Sequence, residues 1–173
     1  PDSGALGYLL GPRINAGGRF GESDLGVGLL TTRDPQKALE YATSLDQLNT
    51  RRQQVERDTT EAAMRQAEDK HDLVLCLAGE DWHEGVIGIS AGRIKENFDR
   101  PACVVSVSTQ PDGRRIGKGS GRSVAGFRLG SAIIAAKQKG LLLAGGGHDM
   151  AAGFSLDMEN FDAFAAFLNH RAE

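Results

Sequence analysis

The sequence predicts an α/β fold: a central mixed sheet flanked by helices and preceded by a long connecting helix. Three observations predict it. From Pro35 to about Lys70 there is no glycine and no further proline, and Ala, Leu, Gln, Glu and Arg dominate, which is the composition of a helix. Beyond Lys70, short β-rich runs alternate with helical patterns, the rhythm of a layered domain. Two glycine-rich, cation-bearing stretches, Gly117-Lys118-Gly119-Ser120-Gly121-Arg122-Ser123 and Gly145-Gly146-Gly147-His148-Asp149-Met150-Ala151-Ala152-Gly153, read as loops of that domain. Three parts follow: residues 1–33 as an edge or junction segment, 34–70 as the connecting helix, and 71–173 as the α/β domain.

Taken in order, the chain begins at Pro1 rather than Met. The glycine-punctuated run from Gly4 to Gly11 looks like the edge of something larger, so the sequence reads as a fragment. Residues 11–19 form a third glycine-rich cluster carrying Arg13, Asn15 and Arg19, and Leu25 to Leu30 is short and apolar enough for a helix. Thr31, Thr32 and Asp34 then offer cap oxygens, with Pro35 at a first helical position. The long helix carries only a narrow apolar stripe, Tyr41, Leu45, Leu48, Val55 and Ala62, interrupted by Arg52 and Thr59. Such a stripe suits a strut between two domains, or one partner of a coiled coil. Next come a strand over Leu73–Ala78, a helix over Val86–Phe98 and a strand over Ala102–Ser108. A strand around Ile116 leads into the first glycine stretch; a helix over Leu129–Lys137 follows, and a strand over Ala152–Leu156 comes after the second. The last helix, Asn160 to His170, repeats Phe161, Phe164, Phe167 and Leu168 at the spacing of one buried face, with Asn160 as its cap.

At 173 residues, 40% hydrophobic and 6% aromatic, the chain is large enough for a sizeable core. No apolar run approaches the length of a membrane span, and nothing at the N-terminus resembles an export signal, so a cytoplasmic setting without membrane contact is expected. Cys76 and Cys103 sit in apolar runs without Cys or His companions at metal spacing and read as buried free thiols. Overall charge is −3, yet from Arg93 to Arg128 eight cationic side chains accompany only Glu96, Asp99 and Asp112, a local excess of five. A cationic face of that kind serves polyanion binding more than the global sum does.

The glycine stretches carry the chemistry. Residues without a Cβ let backbone N–H groups converge on an anion, and the interspersed Arg, Lys, Ser and His add charge and directed donors. Neither stretch is a nucleotide motif of a common kind: Gly113 to Gly119 has one residue too few for a P-loop and ends in glycine, and no Gly-x-Gly-x-x-Gly opens a helix. The reading is therefore a phosphate-gripping surface that is neither an ATPase nor a dinucleotide fold.

Four blocks, in this order, resemble the C-terminal part of the RecJ-type single-strand-specific DNA exonucleases of the DHH phosphoesterase superfamily. They are Leu10 to Arg19 (Leu-Gly-Pro-Arg-Ile-Asn-Ala-Gly-Gly-Arg), Gly79 to Ile89 around Trp82-His83, Gly117 to Ser123, and Gly145 to Gly153. The last marks the DHH-associated domain in general, and the first points to the RecJ type. The resemblance implies a parent enzyme, active in DNA repair and recombination, that releases mononucleotides from a 5′ end of single-stranded DNA. Its N-terminal phosphoesterase domain would hold manganese or magnesium through motifs including Asp-His-His. This chain has no Asp-His-His, and His71-Asp72, His83-Glu84 and His148-Asp149 are isolated pairs. The chain by itself is therefore expected to carry no catalytic residue, metal or cofactor, and not to cut DNA.

On that resemblance the chain's partners are single-stranded DNA and the phosphoesterase domain of the same protein. Lys118 and Arg122 are assigned to phosphate charge, Ser120 and Ser123 to hydroxyl donation, Gly146 and Gly147 to backbone N–H contacts, and His148 to a donor contact with the terminal phosphate or nucleotide. Arg13, Asn15 and Arg19 belong at the junction, touching substrate or stabilising the hinge. His83 is read as structural, fixing the turn before its helix. Two other readings stay open: the associated domain of a phosphodiesterase for short oligonucleotides or cyclic dinucleotides, and a non-catalytic nucleic-acid-binding module.

Overall fold

A computed structural model describes residues 2–173. The chain forms two compact units, the first ending at Val55 and the second running Glu56–Glu173.

The first unit is helical. A wide-turned π segment, Ala5–Leu10, runs directly into α1 (Gly11–Arg19), which is followed by α2 (Asp24–Thr31) and the opening of α3 (Pro35–Glu68). The glycine cluster of residues 11–19 is thus a helix, with Pro12 in its first turn, where a missing N–H costs nothing. Gly17 is required there: the chain leaving α1 folds back so tightly that a Cβ would stand 2.5 Å from the Glu22 carbonyl oxygen. The start of α3 follows the sequence reading, with the Asp34 carboxylate accepting from Gln36 N–H at 2.9 Å.

The second unit contains the end of α3, then β1 (Leu75–Gly79), α4 (Glu84–Phe98), β2 (Ala102–Thr109), β3 (Arg115–Arg122), α5 (Leu129–Gln138), β4 (Ala144–His148), β5 (Ala151–Asp157), a 3-10 turn (Met158–Asn160) and α6 (Phe161–His170). The strands form one sheet in the order β1-β2-β3-β5-β4. Only the β1–β2 pair is parallel, so the sheet is mixed as expected. One face packs Cys76, Cys103, Val105, Phe154 and Leu156 beneath α5 and α6, where Leu129, Ile133, Phe164 and Leu168 are fully buried. The opposite face packs Leu75, Leu77, Ala102 and Val104 against Ile87, Ala91 and Ile94 of α4 and Ala63 and Ala67 of α3.

Two expectations about loops are corrected. Gly117 to Arg122 is a central strand, hydrogen-bonded to β2 on one side and β5 on the other. Its backbone amides therefore serve the sheet and do not converge on an anion. The second stretch is a tight hairpin, β4 and β5 joined by Asp149-Met150. Glycine disfavours strands, which masks both elements, but Gly117, Gly119 and Gly121 have a packing cause. A side chain at these positions would run into Val105 and Met158, the Phe154 ring, and Leu129, respectively.

The helix ends show one agreement and one correction. His83 caps α4 through Nδ1, which accepts from Gly85 N–H at 3.0 Å, the structural role expected for it. Asn160 makes no side-chain cap to α6. The 3-10 turn flows into the helix, which moves the capping function back to Asp157, whose carboxylate accepts from Glu159 N–H at 3.1 Å. The outer edge of β1 is closed by two side-chain amides that imitate a neighbouring strand. Gln66 exchanges hydrogen bonds with Ala78 at 2.9 and 3.3 Å, and Asn169 with Val74 at 3.0 Å in both directions.

Candidate nucleic-acid interface

Residues directly opposite one another on neighbouring strands point to the same side of a sheet. Arg122 pairs with Ala151, and Ala151 with His148; Ser120 pairs with Gly153, and Gly153 with Gly146; Lys118 pairs with Ser155, and Ser155 with Ala144. These three rows lie on the face that carries α4. The helix packs chiefly on β2 and β3, while over β5 and β4 Gly153, Ala144 and His148 are exposed, so the face is open there. A Cβ on Gly146 would meet no atom within 4 Å, and one on Gly153 only the Gly119 carbonyl oxygen at 4.0 Å. The floor of this open shelf is thus Ala, Gly and Ser, with Arg122 along one side and His148 on the far strand. Two strand spacings of about 4.8 Å separate those two backbones by roughly 10 Å.

The period of two explains how the sequence builds this. In Gly117-Lys118-Gly119-Ser120-Gly121-Arg122 every glycine turns to the α5 core and every polar side chain to the shelf. The shelf therefore brings together Lys118, Ser120, Arg122, Gly146 and His148 from the expected set.

Their partners differ. The Arg122 guanidinium is half-buried; Nη1 donates to Ser120 Oγ at 3.1 Å and to the Gly121 carbonyl at 2.9 Å. No carboxylate among the described residues pairs with it. Lys118 Nζ lies 2.9 Å from Glu84 at the start of α4, with both side chains about half exposed (57% and 52%), so its charge is offset. His148 is exposed, and its Nδ1 accepts from Met150 N–H at 3.4 Å. In the neutral ring this leaves the proton on Nε2, which can act as a donor.

Other expected members lie elsewhere. Ser123 is 1% exposed and donates to the Phe127 carbonyl at 2.7 Å, which commits its hydroxyl to the turn after β3. Gly147 faces the α5 side at φ 154°, where a Cβ would press on the backbone of Ala151 and Ala152; it shapes the hairpin. In the first unit, Arg13 is held by Asp46 at 2.7 Å and the Leu9 carbonyl at 2.8 Å, Asn15 is exposed, and Arg19 is half-buried.

The cationic stretch from Arg93 to Arg128 also needs correction as a bare positive face. Carboxylates from outside that window meet it: Glu56 with Arg93, Glu80 with Arg115, Glu84 with Lys118 and Asp149 with Arg128. Arg114 pairs with Asp112, whose carboxyl is held below its usual range by the Arg114 side-chain and backbone hydrogen bonds. Among the described residues, Arg122 is left as the shelf cation without a carboxylate. Sequence reasoning missed Gly153 and Gly88, the glycine of α4 nearest Arg122; the alternation with period two was the signal for the first, and only the helix's approach reveals the second.

A DHHA1 domain model matches residues 71–173. The chain is 42% identical over 167 residues, 92% of its length, to the single-stranded-DNA-specific exonuclease RecJ of Dickeya dadantii (strain 3937), of which it spans 28%. It superposes on RecJ from Thermus thermophilus in complex with Mg2+ with a TM-score of 0.85 and 35% identity, over 97% of this chain and 25% of that one. The Mn2+ complex of the same protein gives 0.85 and 35%, over 97% and 24%. The chain thus spans only about a quarter of the length of these relatives. In this chain no three His, Cys, Asp or Glu side chains among the described residues stand close enough to hold a metal ion, so no chemical step is assigned to one here. The chain belongs to the DHHA1 domain family, and within it resembles the RecJ single-stranded-DNA-specific exonucleases.

Proposed function

We propose that the open shelf of the second unit holds the phosphate backbone of single-stranded DNA, within a larger protein whose metal-dependent phosphoesterase domain hydrolyses the strand from its 5′ end. The observation that carries this reading is Arg122. A half-buried guanidinium with no carboxylate partner among the described residues is costly unless an anion completes it, and it lies beside a floor of small residues that is open above Gly146 and Gly153. Ser120 orients it, His148 offers a donor from across the shelf, and Gly146 keeps the approach clear. Lys118 contributes less, because an incoming phosphate must displace Glu84. Several apolar side chains of the first unit are more than half exposed, among them Tyr8 at 85% and Leu30 at 69%, which supports further chain of the same protein packing there.

The reading is tested by titrating single-stranded DNA into wild-type and Arg122→Ala protein over a salt series. Loss of one phosphate contact makes the slope of log affinity against log salt shallower by about 0.7. An unchanged slope removes Arg122 from the site. A cyclic dinucleotide and a structured RNA run alongside distinguish a phosphodiesterase module or a general RNA-binding one.

A further inference from the structure

Gly88 sits on α4 where the helix passes the shelf. A Cβ there would stand 3.0 Å from Arg122 Nη2 and 3.0 Å from Ser120 Oγ, closer than side-chain carbons ordinarily come. One turn earlier Glu84 meets Lys118; one turn later a Cβ on Gly92 would meet nothing within 4 Å. Of these three positions along α4, only Gly88 presses on Arg122. The guanidinium is therefore bounded on one side by bare helix backbone and tied through Nη1 to Ser120 and Gly121. Glycine is a poor helix former in mid-helix, and at Gly88 its lack of a side chain gives the guanidinium its room.

We propose that Gly88 is a positioning residue for nucleic-acid binding: its missing side chain seats the Arg122 guanidinium against α4 and aims it across the shelf at the phosphate. This inference rests on the reading of Arg122 as a phosphate ligand. Any side chain at residue 88 displaces the guanidinium and the Ser120 hydroxyl while leaving both hydrophobic cores untouched.

The test measures binding of a 3′-labelled oligothymidylate by anisotropy over a salt series, together with melting temperature. The variants are Gly88→Ala, Gly88→Val, Gly92→Ala, Arg122→Ala and the double variant Gly88→Ala/Arg122→Ala. Expected for Gly88→Ala is an affinity loss of up to about tenfold, the scale of one charge-assisted hydrogen bond. Its salt slope is shallower, approaching that of Arg122→Ala, and its melting temperature is unchanged or raised because Ala is the better helix former. Gly88→Val loses more affinity, Gly92→Ala loses none, and adding Gly88→Ala to Arg122→Ala has no further effect. The inference is overturned if Arg122→Ala flattens the slope while Gly88→Ala leaves slope and affinity alone, or if Gly88→Ala weakens binding further in the Arg122→Ala background. An unchanged slope for Arg122→Ala instead defeats the phosphate reading itself. Should Gly88→Ala fail to fold, Ser120→Ala examines the same clamp without crowding α4; weaker binding at constant melting temperature upholds it, and unaltered binding overturns it.

Discussion

The Phe154 ring occupies the space in which a side chain on Gly119 would lie. The two residues face each other across β3 and β5, and the ring is backed by Phe164 at a centroid separation of 4.9 Å. Held from behind, the ring has nowhere to retreat. Gly119→Ala is expected to lower unfolding stability by about 1–3 kcal/mol, the cost of overpacking a core. A denaturant titration checks this; an unmoved midpoint would show that the ring yields freely.

Gly153 lies one residue from Phe154 on the same strand and faces the other way, over the open shelf. Gly153→Val is expected to keep or raise the melting temperature, since a β-branched residue suits a strand, while lowering affinity for single-stranded DNA about tenfold, ~1.4 kcal/mol. Equal affinity in a filter-binding or anisotropy assay would mean that the strand does not cross this floor.

The amides of Asn169 and Gln66 close the β1 edge without a sixth strand. Asn169→Ala leaves Val74 without both partners, at an expected cost of about 1–3 kcal/mol. It also exposes an edge able to pair with another molecule, so light scattering should show concentration-dependent association that the wild type lacks. A monodisperse, equally stable variant would assign edge protection to other elements.

Cys76 and Cys103 face each other in the β1–β2 register, 3% and 0% exposed. A hydrogen bond with Cys76, and then burial, push the Cys103 thiol well above its usual range. Alkylation of both thiols in the native protein is expected to be slow and to track unfolding. The folded state holds the Cys103 proton more tightly than the unfolded chain. Its contribution to stability is therefore complete below the ordinary thiol range and is lost as pH rises through it toward the higher folded value. Denaturant midpoints at rising alkaline pH should fall less in a Cys76→Ala/Cys103→Ala variant than in the wild type; parallel curves would rule this coupling out.

Local signals made much of the fold legible. The stretch without glycine or proline became α3, Asp34 and Pro35 marked its start, and the phenylalanine spacing placed Phe164 and Leu168 in the core. The start of β3 around Ile116 was legible, but its glycine-bearing remainder and β4 were hidden because glycine disfavours strands, and nothing local says that Phe154 and Leu129 will fill the space above Gly119 and Gly121. For the candidate site, residue types grouped Arg122, Ser120, Lys118, Gly146 and His148, and the strand register sets them on one sheet face. Ser123 looked equivalent in sequence, yet it lies buried one residue beyond the strand, where the chain turns into the Phe127 carbonyl.

Neighbours along the chain were enough to specify the long helix, its start, the apolar faces and the concentration of cations and glycines in the second unit. Which charges stay free and which glycines open a surface came only with the packed chain. Glu56, Glu80, Glu84 and Asp149 reach the basic stretch from distant positions, and among the described residues none pairs with Arg122. Strand pairing sets Gly119 beneath a ring and Gly153 beneath open space. Both outcomes are contacts between residues far apart in the chain, and a side chain's free volume and ion partner are fixed only when those residues meet.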